Sequence, residues 1–443
     1  MVYHFYTNSG VRARRKLAIL RFSARGTSAS HLSSRASVFP ISAFRRPSRW
    51  ARIFPIAFFS FSKSQTFRIS LKLLLTGICG FVGSTLAREI RKQHPSWDLI
   101  GIDNFCRAGS ELNRTLIEKE LQIEFYRGDI RSQSDIDALP AADFVIDCAA
   151  NPTVLAGVDG KTSARQLVEH NLLGTVNLLD YCARHSAGFI LLSTSRVYSI
   201  AGLTSFETVL KQSSDSDAPL GVPFDRYTPS NPESYPQGFS DNGIEETFSC
   251  EPPSSLYGTT KTASELLALE YGSMNEFPVW INRCSVMGGA GQFAHPAQGI
   301  FGFWIHSFRE SRPVKYIGFD GLGHQVRDGF HPRDLLPILE KQIAEPAAST
   351  KPRITNLGGG LKNSASLAEL TAWCKSRFPS SKTEIPAPET KPEVRKFDLP
   401  WYVSDNSRAK KAWGWTPQTS LPELCEEIAK FAEENPDWLA MTK

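Results

Sequence analysis

Residues 71 onward predict an α/β fold: a doubly wound parallel sheet followed by a smaller C-terminal domain. Short apolar runs alternate with amphipathic helical stretches, the pattern of right-handed β-α-β units. A glycine-punctuated turn joins the first strand to the first helix, and no apolar run reaches the 18 residues a membrane span needs.

Taken in order, LKLLLTG (71–77) reads as a buried strand and Gly83–Gln93 as the helix that the glycine turn opens. WDLIGID, LQIEFYRGD and ADFVIDCAA read as the second, third and fourth strands. Ala164–Arg184 places apolar residues at helical spacing, and GFILLSTS returns to strand. The Pro/Ser/Gly/Asp-rich stretch 213–253 reads as loop, Tyr257–Tyr271 as helix and PVWINRC as the strand closing a nucleotide-binding domain over 71–284. Beyond it come a helix near Pro332–Ala344, a strand RITNLGG and a helix opened by the capping box Ser366-x-x-Glu369. The C-terminal helix is Leu421–Glu434. Residues 285–443 are therefore expected to form a second, smaller domain over the carboxyl edge of the sheet.

The net charge of +5 conceals two unlike regions. Residues 1–70 hold 13 Lys/Arg and no acid, whereas the rest carries 37 Lys/Arg against 45 Asp/Glu. A nucleic-acid binder would spread positive charge over its folded face, so neither nucleic acid nor membrane is expected as a partner. The basic segment reads as a spurious upstream extension, a targeting leader or a basic arm, disordered in each case and without a catalytic role. A cytoplasmic enzyme is expected, or an organellar one if the leader is genuine. The eight cysteines are scattered singly, without C-x-x-C spacing, so they read as reduced thiols and no metal site is expected.

Glycines 77, 80 and 83 in TGICGFVG form G-x-x-G-x-x-G between strand and helix. Glycine lets the backbone turn tightly and approach a pyrophosphate, which the helix N-terminus then attracts. Asp103 ends the second strand 20 residues past Gly83, where a carboxylate accepts from the adenosine ribose and repels a 2′-phosphate. NAD is the cofactor expected, although Arg107 nearby weakens the case against NADP. Asp129, ending the third strand, is the candidate partner of the adenine amine.

Tyr257-Gly-Thr-Thr-Lys261 puts a phenol and an ammonium one helical turn apart. The cation favours phenolate, which suits the pair to proton transfer near neutral pH. Thr194, in LSTSRVY at the end of an apolar strand, offers a hydroxyl at the crevice where such sheets bind ligands.

Together these motifs resemble the extended short-chain dehydrogenase/reductase family, in the branch that acts on nucleotide-linked sugars, with a Rossmann-type sheet. Within that branch the segments STSRVY, GGAGQFAHPAQG, GHQVRDGFHPRDL, NLGGGLKNSASLAEL and RKFDLPWYVSD are similar to the CDP-paratose 2-epimerases, also called CDP-tyvelose epimerases. The resemblance implies catalytic roles for Thr194, Tyr257, Lys261 and the helix asparagine Asn171. It implies NAD contacts from Gly77, Gly80, Phe81, Val82, Gly83, Asp103, Asn104, Asp129, Ile130, Ala149 and Ala150 as well as from Tyr257 and Lys261. Arg327 and Arg395 would clamp the substrate pyrophosphate, or else pair with Asp328 and Asp398. Gln292 and Gln298 would lie near the sugar or nucleotide, and His331 would stabilise a turn. The relatives' H-x-A-G-Q or H-x-A-A-Q reads CAANP (148–152) here, and their glycine after V-Y is Ser199.

The reaction implied is epimerisation of a nucleotide-diphosphate sugar by transient oxidation to a keto-sugar and re-reduction on the other face. Sugar 4,6-dehydratases carry Thr-Asp-Glu where this chain has Thr194-Ser195-Arg196, so dehydration is disfavoured. A UDP-sugar 4-epimerase or another nucleotide-sugar reductase or dehydratase is the alternative, and a catalytically silent NAD-binding scaffold the alternative of another class. Excess apolar positions on the helices 164–184 and 257–271 predict a homodimer.

Overall fold

Strand β1 (Lys72–Thr76) buries Leu73, Leu74 and Leu75 completely, as a strand covered on both faces must. The computed structural model describes residues 70–442 except 159, 161–162, 214–217, 222–223, 297 and 389–396. The basic leader up to position 69 and Arg395 lie outside the described residues.

Six further strands join β1: β2 (Asp98–Asp103), β3 (Glu124–Arg127), β4 (Phe144–Asp147), β5 (Gly188–Thr194), β6 (Val279–Cys284) and β7 (Ile354–Leu357). All pair in parallel, in the order 3-2-1-4-5-6-7. The order reverses between β1 and β4, the crevice at which open α/β sheets bind ligands. Helix α1 (Phe81–Gln93) crosses from β1 to β2 and packs Leu86, Ala87 and Ile90 onto the sheet core with Phe144, Ile146, Ile190 and Trp280. A longer helical run, α2, joins Ala164–Val168, a π-turn at Glu169–Leu173 and Gly174–His185. Helix α3 (Ser255–Asn275) lies against it and β5.

A second core gathers Phe301, Trp304, Ile305 and Phe308 with Leu370, Leu421, Leu424 and Ile428. A small sheet of Val286–Met287, Val326–Phe330, Ser364–Ser366 and Trp401–Tyr402 lies in this part of the chain. The capping box at Ser366 is present with both its hydrogen bonds.

Two local expectations change. RITNLGG is a strand, but it is β7 at the edge of the main sheet, so the chain returns to the first layer after position 284. The stretch read as loop contains Asp225–Pro229, which pairs antiparallel with Thr208–Gln212. This hairpin lacks an apolar face, with Val209, Leu210, Lys211 and Gln212 all exposed, and so carries no period-two signal. No helix among the described residues is long and apolar enough to cross a membrane.

Candidate active site

The loop from β1 into α1 closes with a hydrogen bond from the Gly80 amide to the Gly77 carbonyl at 2.9 Å, and Gly77 sits at φ +59°. A Cβ on Gly83 would stand 2.3 Å from the Gly77 oxygen and 2.7 Å from the Ile78 Cα, so the close packing of helix on strand requires glycine. No side chain caps α1 at Gly80, which leaves amides of its first turn facing outward between the half-buried Phe81 and Val82. Asp103 Oδ2 accepts from the Cys79 amide at 2.9 Å and Oδ1 from Phe105 at 2.8 Å. Burial raises this carboxyl against the pull of those amides and of the Gly80 and Asn104 amides beside them. Arg107 turns away, donating to Gln298 at 3.1 Å and to the Phe293 carbonyl, so it is not aimed at a ribose phosphate beside Asp103. This cradle of glycines, free amides and one carboxylate fits an adenosine pyrophosphate. Asp129, by contrast, is already held: burial works against its ionisation, but the Arg131 fork and Asn104 outweigh it and keep the carboxyl well below its usual range. Next to it Ile130 is buried, while Ala149 donates to the Thr76 hydroxyl at 3.1 Å and Ala150 is exposed.

The end of β5 and the first turn of α3 bring Thr194 and Tyr257 together. Both are buried, and the Thr194 hydroxyl is near enough to favour the ionised phenol. Burial pushes the phenol up to about 12, opposed by Thr194 and by the positive charge of Arg196. The sequence reading, in which Lys261 lowers the Tyr257 pKa, is therefore incomplete. Lys261 is buried one turn along α3, and its charge acts on Asp147, Cys148 and Cys284. Asp147 closes β4; its Oδ1 accepts from the Thr76 hydroxyl at 2.6 Å, and its buried Oδ2 has no hydrogen-bond partner. Burial raises the Asp147 carboxyl, and the Lys261 ammonium pulls it back. Sequence reasoning passed over this carboxylate; its signal was a lone acid inside the apolar run FVIDCAA.

Asn171 lies in the π-turn of α2, fully engaged by the chain. Its Oδ1 accepts from the Asn151 amide at 2.8 Å, and its Nδ2 donates to the Asn151 carbonyl at 3.0 Å and to Thr260 at 3.3 Å. It thereby ties the loop after β4 to α3. Arg327 pairs with Asp398 at 2.9 Å, not with its neighbour Asp328, and donates to the Val326 and Leu399 carbonyls. Gln292 Nε2 donates to the Met287 carbonyl at 2.7 Å, and its Oε1 is buried without a partner. Gln298 meets Arg107. His331 caps the turn at Pro332–Leu335, accepting from the Arg333 amide, and contacts Glu427 at 3.1 Å.

Behind the site runs a network that the sequence did not announce. Glu265, one turn beyond Lys261, receives the Arg283 fork at 2.7 and 3.1 Å and the Ser193 hydroxyl. Arg283 also lies over the Tyr198 ring, whose hydroxyl donates to Asn356 at 2.6 Å. The network joins α3, β5, β6 and β7.

A dinucleotide cradle beside a Thr/Tyr/Lys set, all at the switch point of a seven-stranded parallel sheet, defines an NAD-dependent enzyme that moves hydride and proton together. Residues 73–358 match the NAD dependent epimerase/dehydratase family, and the chain belongs to it. The CDP-paratose 2-epimerase of Salmonella typhi is 27% identical over 371 residues, covering 81% of this chain and 98% of its own. The UDP-glucuronate 4-epimerase of Thermodesulfobacterium geofontis is 26% identical, over 82% and 96%. Among solved structures, UDP-glucuronic acid 4-epimerase from Bacillus cereus, in complex with UDP-glucuronic acid and NAD, superposes with a TM-score of 0.60 at 21% identity. It covers 82% of this chain and 99% of its own.

Proposed function

We propose that the chain epimerises a nucleotide-diphosphate sugar, most like the CDP-paratose 2-epimerases. The observation that carries this reading is the surroundings of Tyr257. The turn after Thr194, beside it, holds Ser195, Arg196 and Val197 and no carboxylate. Eliminating water needs an acid and a base besides the phenol, whereas epimerisation needs one group that gives and takes the same proton.

Bound NAD would supply the hydride acceptor and, on the return step, the donor. Tyr257 takes the hydroxyl proton of the sugar, and Thr194, beside the phenol, orients the reacting oxygen. Lys261 adds buried positive charge on the same helix, and Asn171 fixes the α2 turn against α3. After the keto-sugar turns over, Tyr257 returns the proton. Arg327 and Arg395 are the proposed pyrophosphate ligands, with Gln292 and Gln298 toward the sugar or base. The UDP-glucuronate 4-epimerase relative supports the second reading, a UDP-sugar 4-epimerase. Incubation with CDP-, UDP-, GDP- and dTDP-sugars, followed by NMR, tests both: inversion at one carbon is expected, and loss of water or no turnover would refute them.

The homodimer belongs to the same proposal. Leu167, Leu179 and Tyr181 of α2 prove to be core, but Leu173, Leu266 and Met274 are 45%, 64% and 68% exposed on α2 and α3. A second copy would cover them. The eight free thiols fit a reducing, cytoplasmic setting.

A further inference from the structure

Arg196 occupies a position that neither the cofactor cradle nor the proton-transfer set explains. It lies in the turn Ser195–Val197 that follows β5, and its amide donates to Thr194 Oγ1 at 3.1 Å. Its carbonyl packs so tightly on the first turn of α3 that a Cβ at Gly258 would stand 2.1 Å from it. The two turns that present Thr194 and Tyr257 are thus locked face to face, with Arg196 at their junction. Its guanidinium donates to the Phe397 carbonyl at 3.2 Å, one residue before the Asp398 that pairs with Arg327. Its charge acts on both Tyr257 and Arg327.

The two guanidinium groups here are not held alike. Arg327 is buried with Asp398 as counter-ion and two carbonyls as acceptors. Among the ion pairs of the described residues none involves Arg196. Two guanidinium groups therefore lie within each other's field, and although Asp398 and Asp328 both act on Arg327, Arg196 has no carboxylate partner of its own among the described residues, a repulsion that an anion relieves. The unpaired guanidinium acts both on the phenol, which handles the sugar hydroxyl, and on Arg327, on the side of the nucleotide.

We propose that Arg196 binds the inner phosphate of the substrate, the one esterified to the sugar, and so sets the distance between pyrophosphate and reacting carbon. The inference rests on the nucleotide-diphosphate sugar reading above. A planar guanidinium, half-buried and with most donors unused, is suited to fork onto phosphate oxygens.

The test compares the full chain with its Arg196→Gln and Arg196→Lys variants by calorimetry, using CDP, UDP, GDP and dTDP and the four corresponding nucleosides as probes. The diphosphate that the wild type binds best should bind about 10–100-fold more weakly to Arg196→Gln. Nucleoside affinity and retained NAD should not change. Arg196→Lys, which keeps the charge and loses the fork, should fall between the two, and it decides the matter if the Gln variant does not fold. Unchanged diphosphate affinity in both variants, or an equal loss for the nucleoside, would overturn the assignment of Arg196 alone. A wild type that binds none of the four diphosphates would overturn the nucleotide-sugar reading and this inference with it.

Discussion

Replacing Asp328 by Asn should make the protein's stability less dependent on pH, by an amount that the structure sets. Asp328 is fully buried; its Oδ2 accepts from the Gly360 amide at 3.1 Å and the Ser404 amide at 3.2 Å, and its Oδ1 has no partner. Burial outweighs those bonds and pushes the carboxyl up to about 6. An unfolded Asp titrates near ~3.9, so between these values the folded chain holds a proton that the unfolded chain has lost. Stability from this group is present below about pH 4 and is lost as pH rises through about 6, a difference of about 3 kcal/mol once complete. The titratable groups that share its field are Arg327 and Tyr402. Asn keeps the acceptor for both amides and has no charge to bury. In urea unfolding the gain of Asp328→Asn over wild type should widen by about 2 kcal/mol from pH 4.5 to pH 7.5. In thermal unfolding the midpoints should separate by roughly 2–3 °C more over the same interval. Curves that run parallel across this range would refute the reasoning, whichever protein is the more stable at either end.

Tyr257→Phe should keep the fold and the bound NAD while lowering turnover about 10²–10⁴-fold in the NMR assay; near-wild-type activity would mean that another group transfers the proton. Asp103→Ala should weaken NAD retention, measured as cofactor released on denaturation, and NADP held by the wild type as firmly as NAD would sink the ribose assignment. Glu265→Gln strips Arg283 of its buried counter-ion and should cost about 3–5 kcal/mol, whereas replacing both residues with Met should cost far less; equal losses in thermal unfolding would show that the pair is not coupled. Light scattering on the full chain should report about twice its 49.2 kDa mass, and a clean, active monomer at micromolar concentration would exclude the dimer.

How much of this was visible in the sequence depended on whether the signal was local. LKLLLT and GFILLST read as strands because residues buried on both faces must all be apolar or small. The loop glycines and the Tyr257/Lys261 pair announced themselves through spacing. The π-turn that holds Asn171 left no trace, because one widened hydrogen-bonded turn hardly disturbs an apolar stripe. RITNLGG was recognisable as a strand, but its neighbour was not, since strand order is decided by crossovers and not by residue pattern. The charge of Lys261 on Asp147, and that of Arg196 on Tyr257 and Arg327, arise where segments distant in sequence come together at the sheet edge. Their meaning appears only when the sheet is assembled.

Strand β7 also constrains how the molecule can open. It comes from the C-terminal part of the chain yet hydrogen-bonds to β6 in the main sheet, with Ile354 beside Ile281 and Leu357 beside Cys284. Cleft opening about a hinge near Cys284 would have to break this ladder or carry it along, and the Tyr198–Asn356 bond would go with it. A chain cut after Cys284 would expose β6 as a raw edge, the kind of strand that invites aggregation.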